Sequence, residues 1–159
     1  MSKNDLDLLD LRILVATIER PRVGVREHAR TLDVARGTVQ ARLDKLQRLG
    51  VIRDLAPQIS PDGLGYPGLA YVRLNLAQGV LDEVTALLAE VPEILAVDSI
   101  AGDADLLCQV VSTGSENLEQ VIQEILAIPG VMRSRTETVL RRRVRHRIRP
   151  LIDRLAREM

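Results

Sequence analysis

The 159-residue sequence has no Phe, no Trp and only two Tyr, Tyr66 and Tyr71. Readers of single-stranded nucleic acid draw affinity from bases stacked on aromatic side chains, so that mode of binding is excluded. Cys108 is the one cysteine, and His28 and His146 are the only histidines. One thiol closes neither an intramolecular disulfide nor a multi-cysteine zinc site, and two dispersed imidazoles are a poor stock for metal or His-based chemistry. No metal and no cofactor are expected. No run approaches the roughly 20 apolar residues of a membrane span. The start, MSKNDLDLLD, is acidic where a secretory leader is basic and then apolar. A cytoplasmic protein without membrane contact is expected. The length allows one ordinary domain or two small ones. With 46% apolar and 28% charged residues a core can form.

Net charge is zero, 22 basic side chains against 22 acidic, but the charge is unevenly placed. Residues 1–60 carry 11 basic and 8 acidic groups, residues 61–140 carry 3 and 12, and residues 141–159 carry 8 and 2. Such asymmetry separates a nucleic-acid-facing module from a body that faces something else. The Pro- and Gly-dense segment 61–68 reads as a linker between a domain over 1–60 and another over 69–141, with a basic, helical tail over 142–159.

In the first domain Leu11, Leu14, Val15 and Ile18 fall at helical spacing, and the helix must end before Pro21. A second helix is predicted over about Val25–Leu32 and a third over about Arg36–Leu49, where Val39, Leu43 and Leu46 share a face and Gly50 supplies the stop. The short connection Asp33-Val34-Ala35 fits the turn of a helix-turn-helix, with Asp33 tolerating a left-handed backbone. After Gly50, VIRDLAPQI is consistent with a short two-stranded wing. In a major groove the third helix offers base edges to Arg36, Thr38, Gln40, Ala41, Arg42 and Lys45. Gly37 allows close backbone approach, Arg36 or Arg42 suits guanine, Gln40 suits adenine, and Lys45, Arg48 and Arg53 suit phosphates. The plainer reading makes these side chains the solvated face of an amphipathic helix. Double-stranded DNA is the expected partner, and Arg42→Ala is expected to weaken operator binding without disturbing assembly.

The run VARGTVQARLDKLQRLGVI, preceded by LDLLDLRIL, resembles the winged helix-turn-helix of Lrp/AsnC (feast/famine) transcriptional regulators. The resemblance reaches to about Leu140 and implies that Arg36, Gly37, Thr38, Gln40, Ala41 and Arg42 are recognition-helix positions. Two residues depart from the pattern: Ala35 stands where the family usually has a Ser cap, and His28 where an apolar residue is common. The cap loss typically costs about 1 kcal/mol; the histidine reads as a partly buried structural residue.

The second domain reads as βαββαβ. LAYVRLNL, ILAVDSIA, LLCQVVS and VMRSRTETVL are strands, and two helices carry apolar residues at Val84, Leu87, Leu88 and Val91 and at Leu118, Val121, Ile122, Ile125 and Leu126. The fold class is therefore α+β, a winged helix-turn-helix joined to a ferredoxin-like sheet of four antiparallel strands with both helices on one face. The other face needs a cover. Alternate positions Ala70, Val72, Leu74, Cys108 and Val110 are expected to form it as an apolar surface, sealed by a second copy in an obligate dimer. The family resemblance implies the same, with tetramers or octamers beyond, and a RAM/ACT-like effector domain. It also implies that a small effector, usually an amino acid, binds near the turn Gly102-Asp103-Ala104-Asp105 and the last strand, which offers Thr136 and Thr138. Gly102 backbone amides suit a carboxylate, Asp103 or Asp105 an ammonium, and the Thr hydroxyls either. Without the resemblance, Gly-Asp is an ordinary tight turn.

In the tail Val144, Ile148, Leu151, Ile152 and Leu155 repeat at helical spacing. The helix is expected to dock on the acidic middle module of this or a neighbouring subunit; the competing reading extends the arginines into solvent as phosphate contacts. Together these features point to a sequence-specific DNA-binding regulator, not an enzyme, whose DNA binding or assembly is tuned by a small effector. Two alternatives share the architecture: an enzyme resembling sirohaem decarboxylases, which two dispersed histidines and a basic helix fit badly, and a low-specificity protein that coats DNA.

Overall fold

The computed structural model describes residues 6–53 and 59–159 and divides into two compact units. One comprises residues 1–57 together with 144–159; the other comprises 58–143. Residues 144–159 therefore fold with the N-terminal helices, and charge segregates by unit. The first unit holds 16 basic and 10 acidic side chains and the second 6 and 12.

In the first unit, α1 (Leu8–Glu19), α2 (Val25–Leu32) and α3 (Arg36–Arg48) form the helix-turn-helix, and α6 (Arg149–Arg157) completes it. Asp7 starts α1 with a reciprocal cap: its carboxylate accepts from the Asp10 backbone N–H at 2.9 Å, and the Asp10 carboxylate accepts from the Asp7 N–H at 3.1 Å. Asp33 does adopt the left-handed conformation, φ 54°, and turns the chain from α2 into α3. Leu11, Ile13, Leu14, Ala29, Leu32, Val39 and Leu46 form the core. Ile18, expected on the buried face of α1, is exposed, and Ile13 is sealed in its place. Helix α1 meets α2, α3 and α6, so its buried face is wider than one helical stripe and shifted towards its N-terminal half. Val51 and Ile52 pack against this core in a bend; residues 54–58, on which much of the expected wing falls, lie outside the described residues.

The tail corrects an expectation. Rather than docking on the acidic module, α6 packs on α1, burying Ile152 in the helix-turn-helix core with Leu155 and Ala156 beside it. Pro150 sits in the first turn, where its missing N–H has no intrahelical role to lose. Arg149 pairs with Glu19 of α1 and, at 2.7 Å, with Asp153. Of the residues expected on the tail's apolar face, Val144 and Ile148 precede the helix and, like Leu151, are exposed.

The second unit is β1 (Gly68–Leu76), α4 (Leu81–Leu88), β2 (Ile94–Ser99), β3 (Leu106–Ser112), α5 (Ser115–Leu126) and β4 (Val131–Thr138). The sheet order is β2-β3-β1-β4, every pairing antiparallel. Val72, Leu74, Leu106, Cys108 and Val110 pack with Val84 and Leu88 of α4 and Val121 and Ile125 of α5. This reverses the expected face: Ala70, Val72, Leu74, Cys108 and Val110 point at the unit's own helices and are its core. Alternation then puts Leu69, Tyr71, Arg73, Leu107, Gln109 and Val111 on the opposite face, where Arg73 and Arg135 flank Glu137 at 3.5 and 3.6 Å. Gly130, φ 96°, joins α5 to β4, and a Cβ there would meet the Val80 side chain at 2.7 Å, so no other residue fits without movement.

Burial pushes the Cys108 thiol up to about 11. An unfolded thiol ionises near pH 9, so the unfolded state gains free energy from deprotonation between pH 9 and 11 while the folded state gains none. Stability should be flat in this respect below pH 9 and fall by about 2–3 kcal/mol by pH 11. Cys108→Ala should remove that alkaline loss, as read by urea unfolding at successive pH; parallel curves for the two chains would contradict it.

Candidate nucleic-acid interface and effector turn

Helix α3 buries Val39 and Leu46 against the core, which places Gly37, Gln40, Ala41, Asp44 and Arg48 on the side turned away from it. Arg36, Gly37, Thr38, Gln40, Ala41 and Arg48 are exposed, as is Arg53 beyond the helix. Ala35 at the N-cap makes no side-chain hydrogen bond, so the first amides of α3 have no side-chain cap from it.

Arg42 and Lys45 are placed differently from the sequence expectation. Arg42 pairs with Asp7 and, at 3.1 Å, with Asp10, and Lys45 Nζ reaches Asp10 at 2.7 Å. Asp10 is wholly buried. A buried carboxylate without cations would carry a desolvation cost of several kcal/mol, so both side chains are held to α1 in this structure. The Asp10 backbone amide, followed by the Arg42 guanidinium, holds the Asp7 carboxyl below its usual range, and these carboxylates raise Arg42 in turn.

The outward stripe is thus small and polar. Gln40 Nε2 donates to Asp44 Oδ1 at 2.8 Å, an i,i+4 pair lying along the side a groove would meet. Gln reads adenine and a carboxylate accepts from the cytosine amino group. Sequence reasoning misses Asp44 because it weighs cations for a polyanionic partner; the available signal was its place seven residues after Gly37 and four after Gln40.

In the second unit Asp105 is a structural bracket. Its N–H donates to Leu74 O at 2.9 Å, its carbonyl accepts from the Ile100 N–H at 3.0 Å, and its Oδ2 accepts from the Leu76 N–H at 2.8 Å. One oxygen of the expected ammonium acceptor is therefore engaged in fastening the turn to β1. Asn75, which sequence reasoning also misses, donates to the Asp103 carbonyl at 2.8 Å. Gly102 and Asp103 are exposed, Gly102 with φ 133°, and the Asp103 carboxylate meets no hydrogen-bond or ion-pair partner among the described residues. Thr136 and Thr138 are not brought to this turn within one chain. They lie opposite Val72 and Ala70, and Thr138 is four residues, roughly 13 Å, along the sheet from the level of Leu74. Both occupy the helix-covered face. Among the described residues no group of acidic, His and Cys side chains could hold a metal ion, and no helix is long and apolar enough to cross a membrane.

Comparison with known proteins finds a family for each part of the chain. The Lrp/AsnC ligand-binding-domain family matches residues 69–148, and a winged helix-turn-helix DNA-binding family matches residues 6–53. The HTH-type transcriptional regulator FL11 of Pyrococcus horikoshii is 32% identical over 136 residues, covering 86% of this chain and 90% of that protein. Its Pyrococcus abyssi counterpart is also 32% identical, with the same coverage. Among solved structures, E. coli AsnC superposes with a TM-score of 0.84 at 24% identity over 91% of this chain and 99% of that one. A Neisseria meningitidis transcriptional regulator solved as its L-Met complex gives 0.80 at 23% identity, covering 89% and 93%. The chain belongs to the Lrp/AsnC family of transcriptional regulators, with an N-terminal helix-turn-helix for DNA and a C-terminal ligand-binding domain.

Proposed function

We propose that this regulator reads a specific duplex sequence through the outward stripe of α3, and that a small amino-acid-like effector tunes its DNA binding or assembly. The observation that carries the first part is the stripe Gly37, Gln40, Ala41, Asp44 and Arg48, in which two short residues and three hydrogen-bonding ones stand where base edges would lie. The second part is supported by the exposed Gly102-Asp103 turn with its unengaged carboxylate, and by the neighbour solved with L-Met. Asp103 suits the ammonium of an α-amino acid, and the amides of the turn suit its carboxylate. On this reading the protein acts in the cytoplasm as a regulator and not as an enzyme; its one thiol, Cys108, and one of its two imidazoles, His28, are buried.

A second copy covers the sheet face that bears Leu69, Tyr71 and Leu107, which presents two recognition helices to a roughly palindromic operator. Sedimentation of the operator-binding protein as a monomer would remove that part of the reading.

The test is to map the protein's sites on genomic DNA with and without pooled amino acids, then titrate one recovered duplex against Ala41→Glu. A carboxylate added to the groove-facing stripe should weaken binding to that duplex about 10- to 100-fold without changing the assembly, since it opposes phosphates and leaves the core intact. Equal affinity for recovered and random duplexes would favour a DNA-coating protein, and unchanged affinity of Ala41→Glu would remove α3 as the reader.

A further inference from the structure

The segment Arg141–Arg147 holds five arginines and one histidine in seven residues. Every residue in it is exposed, none belongs to a helix or strand, and no arginine in it makes an ion pair or hydrogen bond with any described residue. Five like charges at such spacing repel one another, and in the free protein only solvent and counterions offset that repulsion. Directly after it, α6 is fastened into the helix-turn-helix unit by Ile152 in the core and by Arg149 on Glu19.

Helix α3 itself is short of free cations. Helix α3 has four cations, and two of them, Arg42 and Lys45, are bound by Asp7 and Asp10, while Asp44 adds a negative charge to the outward stripe. Arg36 and Arg48 remain on that helix for phosphates. Neutralising phosphates supplies a large share of affinity for duplex DNA, so α3 with two free cations draws on others beyond the helix, exposed Arg53 among them.

We propose that Arg141–Arg147 is a second DNA-contacting element, a strap that lies on the phosphate backbone of the duplex held by the helix-turn-helix and is delivered there by α6. The inference rests on the DNA-binding reading above. Fully extended, seven residues reach about 24 Å, enough to pass several phosphates of one strand. The strap carries no base-reading geometry of its own, so it adds affinity and salt dependence and leaves sequence preference to α3.

The experiment uses the full-length protein, a duplex recovered by genomic mapping and a scrambled duplex of equal length, with binding constants measured across a range of salt. In the variant with Arg141, Arg142, Arg143, Arg145 and Arg147 all changed to Gln, the slope of log K against log salt should fall by about 0.9 for each phosphate that is no longer neutralised. Affinity for both duplexes should fall by the same factor, about 100-fold near physiological salt. The variant with five Lys at the same positions should keep the parental slope. An unchanged slope in the Gln variant, a loss confined to the recovered duplex, or a Lys variant that behaves like the Gln variant would each overturn the proposal. Should the Gln chain prove misfolded by far-UV circular dichroism, the variant with Arg141, Arg142 and Arg143 alone changed to Gln takes its place: a lowered slope supports the strap and an unchanged one overturns it. A parent protein that does not distinguish the two duplexes strikes the reader assigned to α3; a parent that does, with an unchanged Gln slope, strikes the strap alone.

Discussion

Replacing Arg42 and Lys45 together by Met should destabilise the helix-turn-helix unit by about 3–5 kcal/mol, because wholly buried Asp10 would be left with neither of its cationic partners. That is a large share of the roughly 5–15 kcal/mol by which small domains are stable. Either single change should cost less, since the remaining cation still reaches Asp10. Adding Asp10→Leu to the double variant should recover most of the loss, since an apolar replacement of a complete buried ionic cluster is often neutral or stabilising. Helical circular dichroism or hydrogen exchange in α1 and α3 is the right probe, because Tyr66 and Tyr71 both lie in the other unit and fluorescence would miss the transition. A triple variant less stable than the double would sink the account. Loss of operator affinity in Arg42→Ala is then expected as a consequence of a loosened α1–α3 junction and not of a missing base contact. The depressed Asp7 carboxyl has the matching pH sign: its contribution is present above the usual carboxylate range and disappears as pH falls through the lowered value.

Ile152→Ala should cost the same unit about 2–4 kcal/mol. Ile152 is the one α6 side chain buried in the core around Leu11 and Leu32. The cleft along this seam, about 300 Å³ and lined by Leu11, Val15, Leu32, Ile152 and Ala156 among others, is already open to solvent. Truncation there enlarges a gap that water can enter, which argues for the lower half of the usual Ile→Ala range. Leu151→Ala on the exposed side of the same helix should change stability by less than about 0.5 kcal/mol. The comparison, made by thermal or urea unfolding, separates docking of α6 from mere helix propensity. Equal effects at the two positions would show that α6 is not part of the core in solution.

Both results bear on how much of the molecule is legible in its sequence. The helices and strands were legible because each repeats apolar residues at its own period over six or more positions, and the turn at Asp33 because few residues tolerate a left-handed backbone. The recognition helix itself was legible for the same reason. Its chemistry was less so. Arg42 and Lys45 are basic residues on the helix proposed to read DNA, and nothing near them in sequence reveals a carboxylate 32 or 35 residues away. Periodicity likewise identifies two faces of β1 without saying which one the helices cover: Val72 and Tyr71 are neighbours, and only the packing of Val84, Leu88, Val121 and Ile125 chose between them.

From the residues alone came the two-part organisation, the helix-turn-helix, the βαββαβ order and the concentration of positive charge at both ends, since all of these follow from local period, composition and turn chemistry. The folded molecule decided three further things: that α6 shares a unit with the N-terminal helices, that Asp10 claims two of the four cations on α3, and that Asp105 ties a turn to β1 through a backbone amide. Each depends on groups distant in the chain meeting in space, and such meetings are chosen by the packing of the whole unit, which no short stretch of sequence records.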